Sequence, residues 1–173
     1  MSGVVFREAV LQDDVAIGEL LVESFVTSYA RKLPEVTVTE PRKAELRDVA
    51  GKRGLAKIWV AEREGVVVGT VTVWPPGAPK SEAWIKNAAD LRQLAVASSL
   101  RGGGVSAQLM ELAESWAREQ KCAGVCLHVR RSAVGVRRVY EMRGYLRKPE
   151  GDLDFLPEVF LEAFFLPFTA PVP

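Results

Sequence analysis

The chain has little of what marks secreted, membrane-spanning or nucleic-acid-coating proteins, and each shortage removes a class of function. It holds two cysteines, Cys122 and Cys126, only four positions apart. That spacing offers no disulfide framework, so a reducing cytoplasm is the expected setting. No apolar run approaches the ~18 residues that a bilayer-spanning helix requires, so no membrane partner is expected. The opening segment Met1–Glu8 lacks the long apolar core of a secretion signal. A formal net charge of +1 gives no basis for nucleic acid as a bulk partner. With a single histidine, His128, a nucleophile triad is not expected. Cys126 and His128 share a strand face and, with Cys122, invite a metal reading. Three ligands without a fourth fit no zinc pattern, so apolar thiols and a satisfied core histidine are expected, and no metal.

What remains is the composition of an ordinary globular domain. At 173 residues, 48% hydrophobic and 26% charged, the chain is long enough to bury a good core, and residues 1–173 read as one domain. Val4–Arg7 reads as a strand. Asp13 or Asp14 can cap the helix that follows, with Ile17, Leu21, Phe25 and Tyr29 on one face and Leu33-Pro34 as its break. Thr39-Glu40-Pro41 starts a second helix, ending near Gly51–Gly54. Lys57–Arg63 and Val66–Trp74 are strands joined at Glu64-Gly65, by a hairpin turn or a slightly longer loop. After a Pro-rich loop come a strand over Leu91–Val96, a long helix, a strand over Gly124–Arg130, a short helix and a C-terminal pair. In that pair Gly151-Asp152 is the expected turn and Val159–Phe165 the last strand, with Leu166–Pro173 expected to lack regular structure. This order is that of a mixed α/β domain with a mostly antiparallel sheet.

The most informative stretch is Arg101-Gly102-Gly103-Gly104-Val105-Ser106, between the apolar run Leu91–Val96 and an amphipathic segment. From Val105 onward, apolar residues fall at Val105, Leu109, Leu112, Ala113 and Trp116, which is helical spacing. A strand, a glycine turn and a helix start make an anion site. The first N–H groups of a helix have no partner inside it, and its dipole favours negative charge there. Consecutive glycines let the backbone approach a phosphate closely.

Leu94–Ser106 resembles the acyl-coenzyme A loop of the GNAT N-acetyltransferase superfamily, whose pattern reads Arg/Gln-x-x-Gly-x-Gly/Ala after Leu-x-Val-x-Pro. Leu94, Val96, Arg101 and Gly104 match. Ser98, Leu100 and Ser106 depart from the pattern without removing a backbone N–H. A second segment, Val136-Arg137-Arg138-Val139-Tyr140-Glu141-Met142-Arg143-Gly144-Tyr145, resembles the family's Ala-x-x-x-Tyr-x-x-x-Gly-Phe signature. Val136 stands in place of its Ala, and Ala133 where an Asn is common. Two such motifs in the right order are more specific than either alone.

The resemblance implies a GNAT-like sheet of about six or seven strands flanked by about four helices. It implies acetyl-coenzyme A as co-substrate and transfer of its acetyl group to a primary amine by direct attack. Leu94, Ala95 and Val96 would line the thioester, with the Val96 N–H on its carbonyl, where one well-aimed donor is worth ~3 kcal/mol of barrier. The N–H groups of Gly102, Gly103, Gly104, Val105, Ser106 and Ala107 would hold the pyrophosphate, and Arg101 would add charge. Tyr140 would supply a proton to the departing thiolate. A carboxylate or a water chain removes the amine proton. Asp90, Glu62 and Glu82 are the candidates, with Asp90 first because it precedes the strand that carries the loop.

Plainer readings stand beside these. Tyr140 can be a core aromatic, Arg101 a solvated loop residue, and Arg130, Arg131, Arg137 and Arg138 an exposed charged face rather than a contact for the cofactor's 3′-phosphate. Trp84 is the tryptophan considered for a wall of the acceptor site. Gly102-x-Gly104-x-x-Ala107 also fits the dinucleotide fingerprint, but Arg130-Arg131 stand where an acidic residue is expected about 20 residues on, which leaves only an NADP-binding variant. No Gly-Lys-Ser/Thr follows the glycines, so a P-loop is excluded. A GNAT-like domain that binds acyl-coenzyme A without catalysis, as a sensor or partner module, is the other alternative. The acceptor, a small-molecule or peptide amine, is not legible. The apolar strand from Phe160 through Phe168 suggests a homodimer, if it forms an exposed edge.

Overall fold

Glu64 and Gly65 both adopt left-handed backbone, with φ of 52° and 79°. A two-residue hairpin of type I′ needs that pair of conformations, and its twist matches the flanking strands. Strands β2 (Lys57–Arg63) and β3 (Val66–Trp74) accordingly pair antiparallel from Arg63 opposite Val66, so the tight turn is the one formed. In the computed structural model, which describes residues 3–32, 37–156 and 159–169, strand β1 (Val4–Glu8) adds antiparallel to β2 with Val4 opposite Arg63.

Helix α1 (Asp14–Lys32) buries the face expected of it. Ile17 and Leu21 are buried among Leu46, Val49, Ile58, Val60 and Ala95, and Phe25 packs against the same cluster. The Tyr29 side chain and the Leu33-Pro34 break lie outside the described residues. The expected second helix is two, α2 (Glu40–Arg47) and α3 (Val49–Arg53). Thr39 caps α2 by accepting the Arg42 N–H at 3.3 Å. Asp48 divides the pair, because its carboxylate accepts the Gly51 N–H at 3.2 Å and so caps α3 from a non-helical backbone.

Contacts divide the chain into two compact units, Met1–Val73 with Gln93–Ala113, and Trp74–Arg92 with Glu114–Pro173. Two elements run through both: strand β4 (Ala88–Val96) and helix α4 (Val105–Glu119). Within the first unit the Ala97 N–H donates to the Val68 carbonyl at 2.8 Å, just past the end of β4. The start of α4 sits on β3 at Gly69, where a Cβ would come within 3.0 Å of Leu109 and 3.1 Å of Val105. A bare backbone at Gly69 therefore sets how closely that helix approaches the strand.

In the second unit, β4 pairs parallel with β5 (Gly124–Arg130) from Ala88 opposite Gly124 to Asp90 opposite Cys126. Helix α5 (Val134–Met142) follows, then the short strands β6 (Leu146–Arg147) and β7 (Leu153–Leu156), and β8 (Val159–Pro167). The eight strands are ordered β1-β2-β3-β4-β5-β8-β6, with β7 on β8. Among the described residues the fold is thus of mixed α/β class, with a mostly antiparallel sheet and five α-helices.

Three boundaries differ from the sequence reading. Strand β4 begins at Ala88 rather than Leu91, because Ala88 and Ala89 pair with β5. Strand β8 continues through Leu166 and Pro167, which lie opposite Val125 and Gly124. Gly151-Asp152 is no hairpin turn: Pro149–Gly151 form a 3-10 turn, and the hairpin closes later, with Leu156 opposite Val159. Asp152 instead locks the chain to β8, accepting Arg147 at 2.5 and 2.7 Å and the Ala163 N–H at 2.8 Å. With β5 on one side and β6 and β7 on the other, β8 is not an exposed edge, so that argument for a dimer falls.

Candidate active site

In the first unit the site is built from the end of β4. Gln93 adopts left-handed backbone within the strand, φ 55°. Its side chain is held by Lys52, only 4% exposed, which donates to Gln93 Oε1 at 3.1 Å and to the Leu46 carbonyl at 3.2 Å. Leu94, Ala95 and Val96 follow it, the last two buried. A 3-10 turn, Ser98–Leu100, leads into the glycine loop.

That loop uses its glycines unequally. Gly102 and Gly104 have φ of 82° and 84°, which other residues adopt at a cost. Gly103 does not, and its N–H turns back to the Leu100 carbonyl at 3.2 Å. The first bond of α4 runs from the Gln108 N–H to the Gly104 carbonyl at 3.1 Å. The N–H groups of Val105, Ser106 and Ala107 therefore precede the helical ladder and point out of its start. Arg101 stands beside them, with a guanidinium nitrogen 3.5 Å from the Ser24 hydroxyl. A cavity of about 290 Å³ opens here, lined by Val4, Arg63, Ser99, Leu100, Arg101, Gly103 and Val105. All ten residues expected to contact the cofactor, Arg101 among them, thus lie along one strand–loop–helix in one unit, open at Gly102.

The second unit carries both residues expected to move protons, in separate surroundings. Asp90 is 0% exposed. Its Oδ2 accepts the Glu82 N–H at 2.8 Å and lies 3.8 Å from Arg92 Nε, while Oδ1 has no partner among the described residues. Burial pushes this carboxyl up to about 7, against the Glu82 N–H and the Arg92 charge, which favour ionisation. Glu82 is ion-paired to Arg92. Glu62, in the first unit, is held by Arg7, which also grips Asp13. Of the three carboxylates considered, only Asp90 combines full burial with an unpaired oxygen.

Tyr140, on α5, is 9% exposed, and burial alone raises its hydroxyl to about 12. Its carbonyl accepts the N–H groups of Arg143 at 3.0 Å and Tyr145 at 3.1 Å, closing the helix before Gly144, φ 101°. The two tyrosine rings lie 5.8 Å apart. Behind them is a group that sequence reasoning passed over: Glu114, on α4, accepts from Arg143 and from the Tyr145 hydroxyl. The available signal was a carboxylate flanked by the buried positions Met110, Ala113 and Ala117 of one helix.

Other candidates are occupied by neighbours. His128 Nε2 lies 2.8 Å from the Gly151 carbonyl, and burial lowers its affinity for a proton. Trp84 meets His128 edge-on at 5.2 Å and packs so closely on Gly151 that a Cβ there would overlap its ring. Cys122 and Cys126 are buried free thiols, the latter pushed up to about 11 by burial. Among the described residues no cluster of three His, Cys, Asp or Glu could hold a metal ion. Arg131 lies over the Phe160 ring at 3.5 Å, and Arg137 pairs with Glu141 and Glu162. No helix among the described residues is long and apolar enough to cross a membrane.

The family model described as Acetyltransferase (GNAT) family matches residues 16–145, well over half of the chain and spanning both motifs. The chain belongs to the GNAT acetyltransferase family. It is an acyltransferase by that membership, and solved structures share its fold. A GNAT-family acetyltransferase from Staphylococcus aureus Mu50 superposes with a TM-score of 0.74 at 14% identity, over 95% of this chain and 98% of that one. The PaiA N-acetyltransferase of Thermoplasma acidophilum, solved with coenzyme A, gives 0.68 at 17%, covering 94% and 98%. The ribosomal-protein-alanine N-acetyltransferase of Brucella melitensis gives 0.65 at 21%, covering 95% and 99%. Among curated protein sequences, none matches.

Proposed function

We propose that this GNAT protein is an N-acetyltransferase that moves the acetyl group of acetyl-coenzyme A to a primary amine of a small molecule or peptide. The observation that carries the reading is the open strand–loop–helix at Arg101–Ala107, with unladdered N–H groups at its start and Arg101 beside them. That arrangement suits a pyrophosphate, as does the coenzyme A bound to the Thermoplasma relative of the same fold. The two units, joined through β4 and α4, act on this reading as one domain. The buried free thiols Cys122 and Cys126 fit a reducing, cytoplasmic setting.

The thioester supplies the acetyl group, and this chain's residues do the rest. Leu94–Val96 hold the thioester end, the Val96 N–H aimed at its carbonyl oxygen. The neutral amine attacks the acyl carbon as the carbon–sulfur bond breaks. On this reading Asp90, enclosed as it is, accepts the amine proton through water, and its raised proton affinity suits a base near neutral pH. Tyr140 keeps its proton at that pH and offers it to the departing sulfur.

A panel of small amines, amino acids and peptides tests the reading, with product mass and released thiol followed together. At least one amine should gain an acetyl group for each thiol released, and Tyr140→Phe should lower kcat about a hundredfold. Tight acetyl-coenzyme A binding without thiol release on any amine would favour the non-catalytic sensor.

A further inference from the structure

We infer that Glu114, acting through Arg143 and Tyr145, is the positioning device for Tyr140. The inference rests on the reading of Tyr140 as proton donor. Glu114 is 3% exposed, and its carboxylate accepts charge-assisted hydrogen bonds from Arg143 and Tyr145. Oε2 accepts Arg143 Nη2 at 2.5 Å, and Oε1 accepts both Arg143 Nε at 3.1 Å and the Tyr145 hydroxyl at 3.0 Å. Burying a carboxylate is costly even when it is paired, and an apolar side chain would fill the same space at less cost. What the carboxylate adds is direction: the planar fork of Arg143 fixes its plane, and that plane fixes where the Tyr145 hydroxyl must lie.

Tyr145 then transmits the constraint. Burial and the Glu114 charge hold its hydroxyl protonated, so it donates to Glu114 at every working pH. Its ring lies against the Tyr140 ring at 5.8 Å with a 58° tilt, and its backbone N–H donates to the Tyr140 carbonyl at 3.1 Å. Arg143 donates its own N–H to the same carbonyl. Tyr140 is thereby held at backbone and ring by the two residues that Glu114 grips, while burial alone raises its hydroxyl, which on the proposed reading donates to the sulfur. Glu114, Arg143 and Tyr145 are positioning residues; Tyr140 alone would touch the reacting atoms.

Steady-state kinetics on Tyr145→Phe, Glu114→Gln, Tyr140→Phe and the double variant Tyr140→Phe/Tyr145→Phe test the inference. Tyr145→Phe and Glu114→Gln should each lower kcat about five- to tenfold with KM for acetyl-coenzyme A unchanged. In the Tyr140→Phe background, Tyr145→Phe should have no further effect. An equal fall in both backgrounds, or a change in KM instead of kcat, overturns the positioning role and leaves Tyr140 as donor. Full activity of Tyr140→Phe overturns the donor reading itself, and the positioning role with it. Should Glu114→Gln fail to fold, Tyr145→Phe still decides, because it removes one hydroxyl and keeps the Glu114–Arg143 pair.

Discussion

Asp90 concentrates the chemistry that single residues contribute here, because burial has moved its proton affinity into the working range. A base must be deprotonated, so activity should rise through about pH 7 as this carboxyl ionises. Asp90→Asn should lower kcat about a hundredfold and remove that limb of the pH profile; an unchanged limb would place the base elsewhere. The same shift acts on stability. The folded-state value lies above the ordinary 3.8, so folding favours the protonated form. The stabilisation is fully present below the ordinary value and is lost as pH rises to about 7. Melting temperature should therefore fall across that window in the wild type and run flatter in Asp90→Asn. A fall of equal size in the variant would contradict the assignment. The candidacy of Asp90 was legible from its place before the loop-bearing strand. Its enclosure was not, because the Glu82 N–H and the missing partner of Oδ1 depend on a segment folded back over it.

At the level of elements, the glycine loop makes a sharper demand than its three glycines suggest. Gly104 is left-handed, so Gly104→Ala should cost about 1 kcal/mol in stability and weaken acetyl-coenzyme A binding. Gly135, inside α5 with nothing within 4 Å of a Cβ, should gain several tenths of a kcal/mol on change to Ala. Thermal melts with and without ligand check both, and equal effects at the two glycines would contradict the loop geometry. The loop could be read from sequence because its signals are local: an apolar run, glycines, then helical spacing. The left-handed backbone at Gln93 could not, since nothing in a glutamine asks for it and the buried Lys52 that holds its side chain lies far away in the chain. Long-range pairing likewise carried β8 through Leu166 and Pro167, past the point where a proline-containing tail reads as irregular. Asp48 had the local chemistry to divide α2 from α3, but a capping aspartate and a surface aspartate look alike in sequence.

For the whole molecule, β4 and α4 are each shared by both compact units, so neither unit can unfold without breaking an element of the other. Thermal unfolding should therefore show one transition with equal calorimetric and van't Hoff enthalpies, and two separated transitions would contradict this. Family membership was legible because its two motifs are short and chemically specific. The acceptor was not, because no stretch of the chain carries an acceptor motif and its net charge favours no charged class. The acetyltransferase reading stands on acetyl-coenzyme A binding by the loop at Arg101–Ala107. Calorimetric titration of the protein with acetyl-coenzyme A, beside NADPH and beside the Arg101→Ala variant, tests it most directly. Acetyl-coenzyme A should bind saturably and one-to-one, about tenfold more weakly in Arg101→Ala, and NADPH should not bind. Binding of NADPH alone, or of neither ligand, would contradict it.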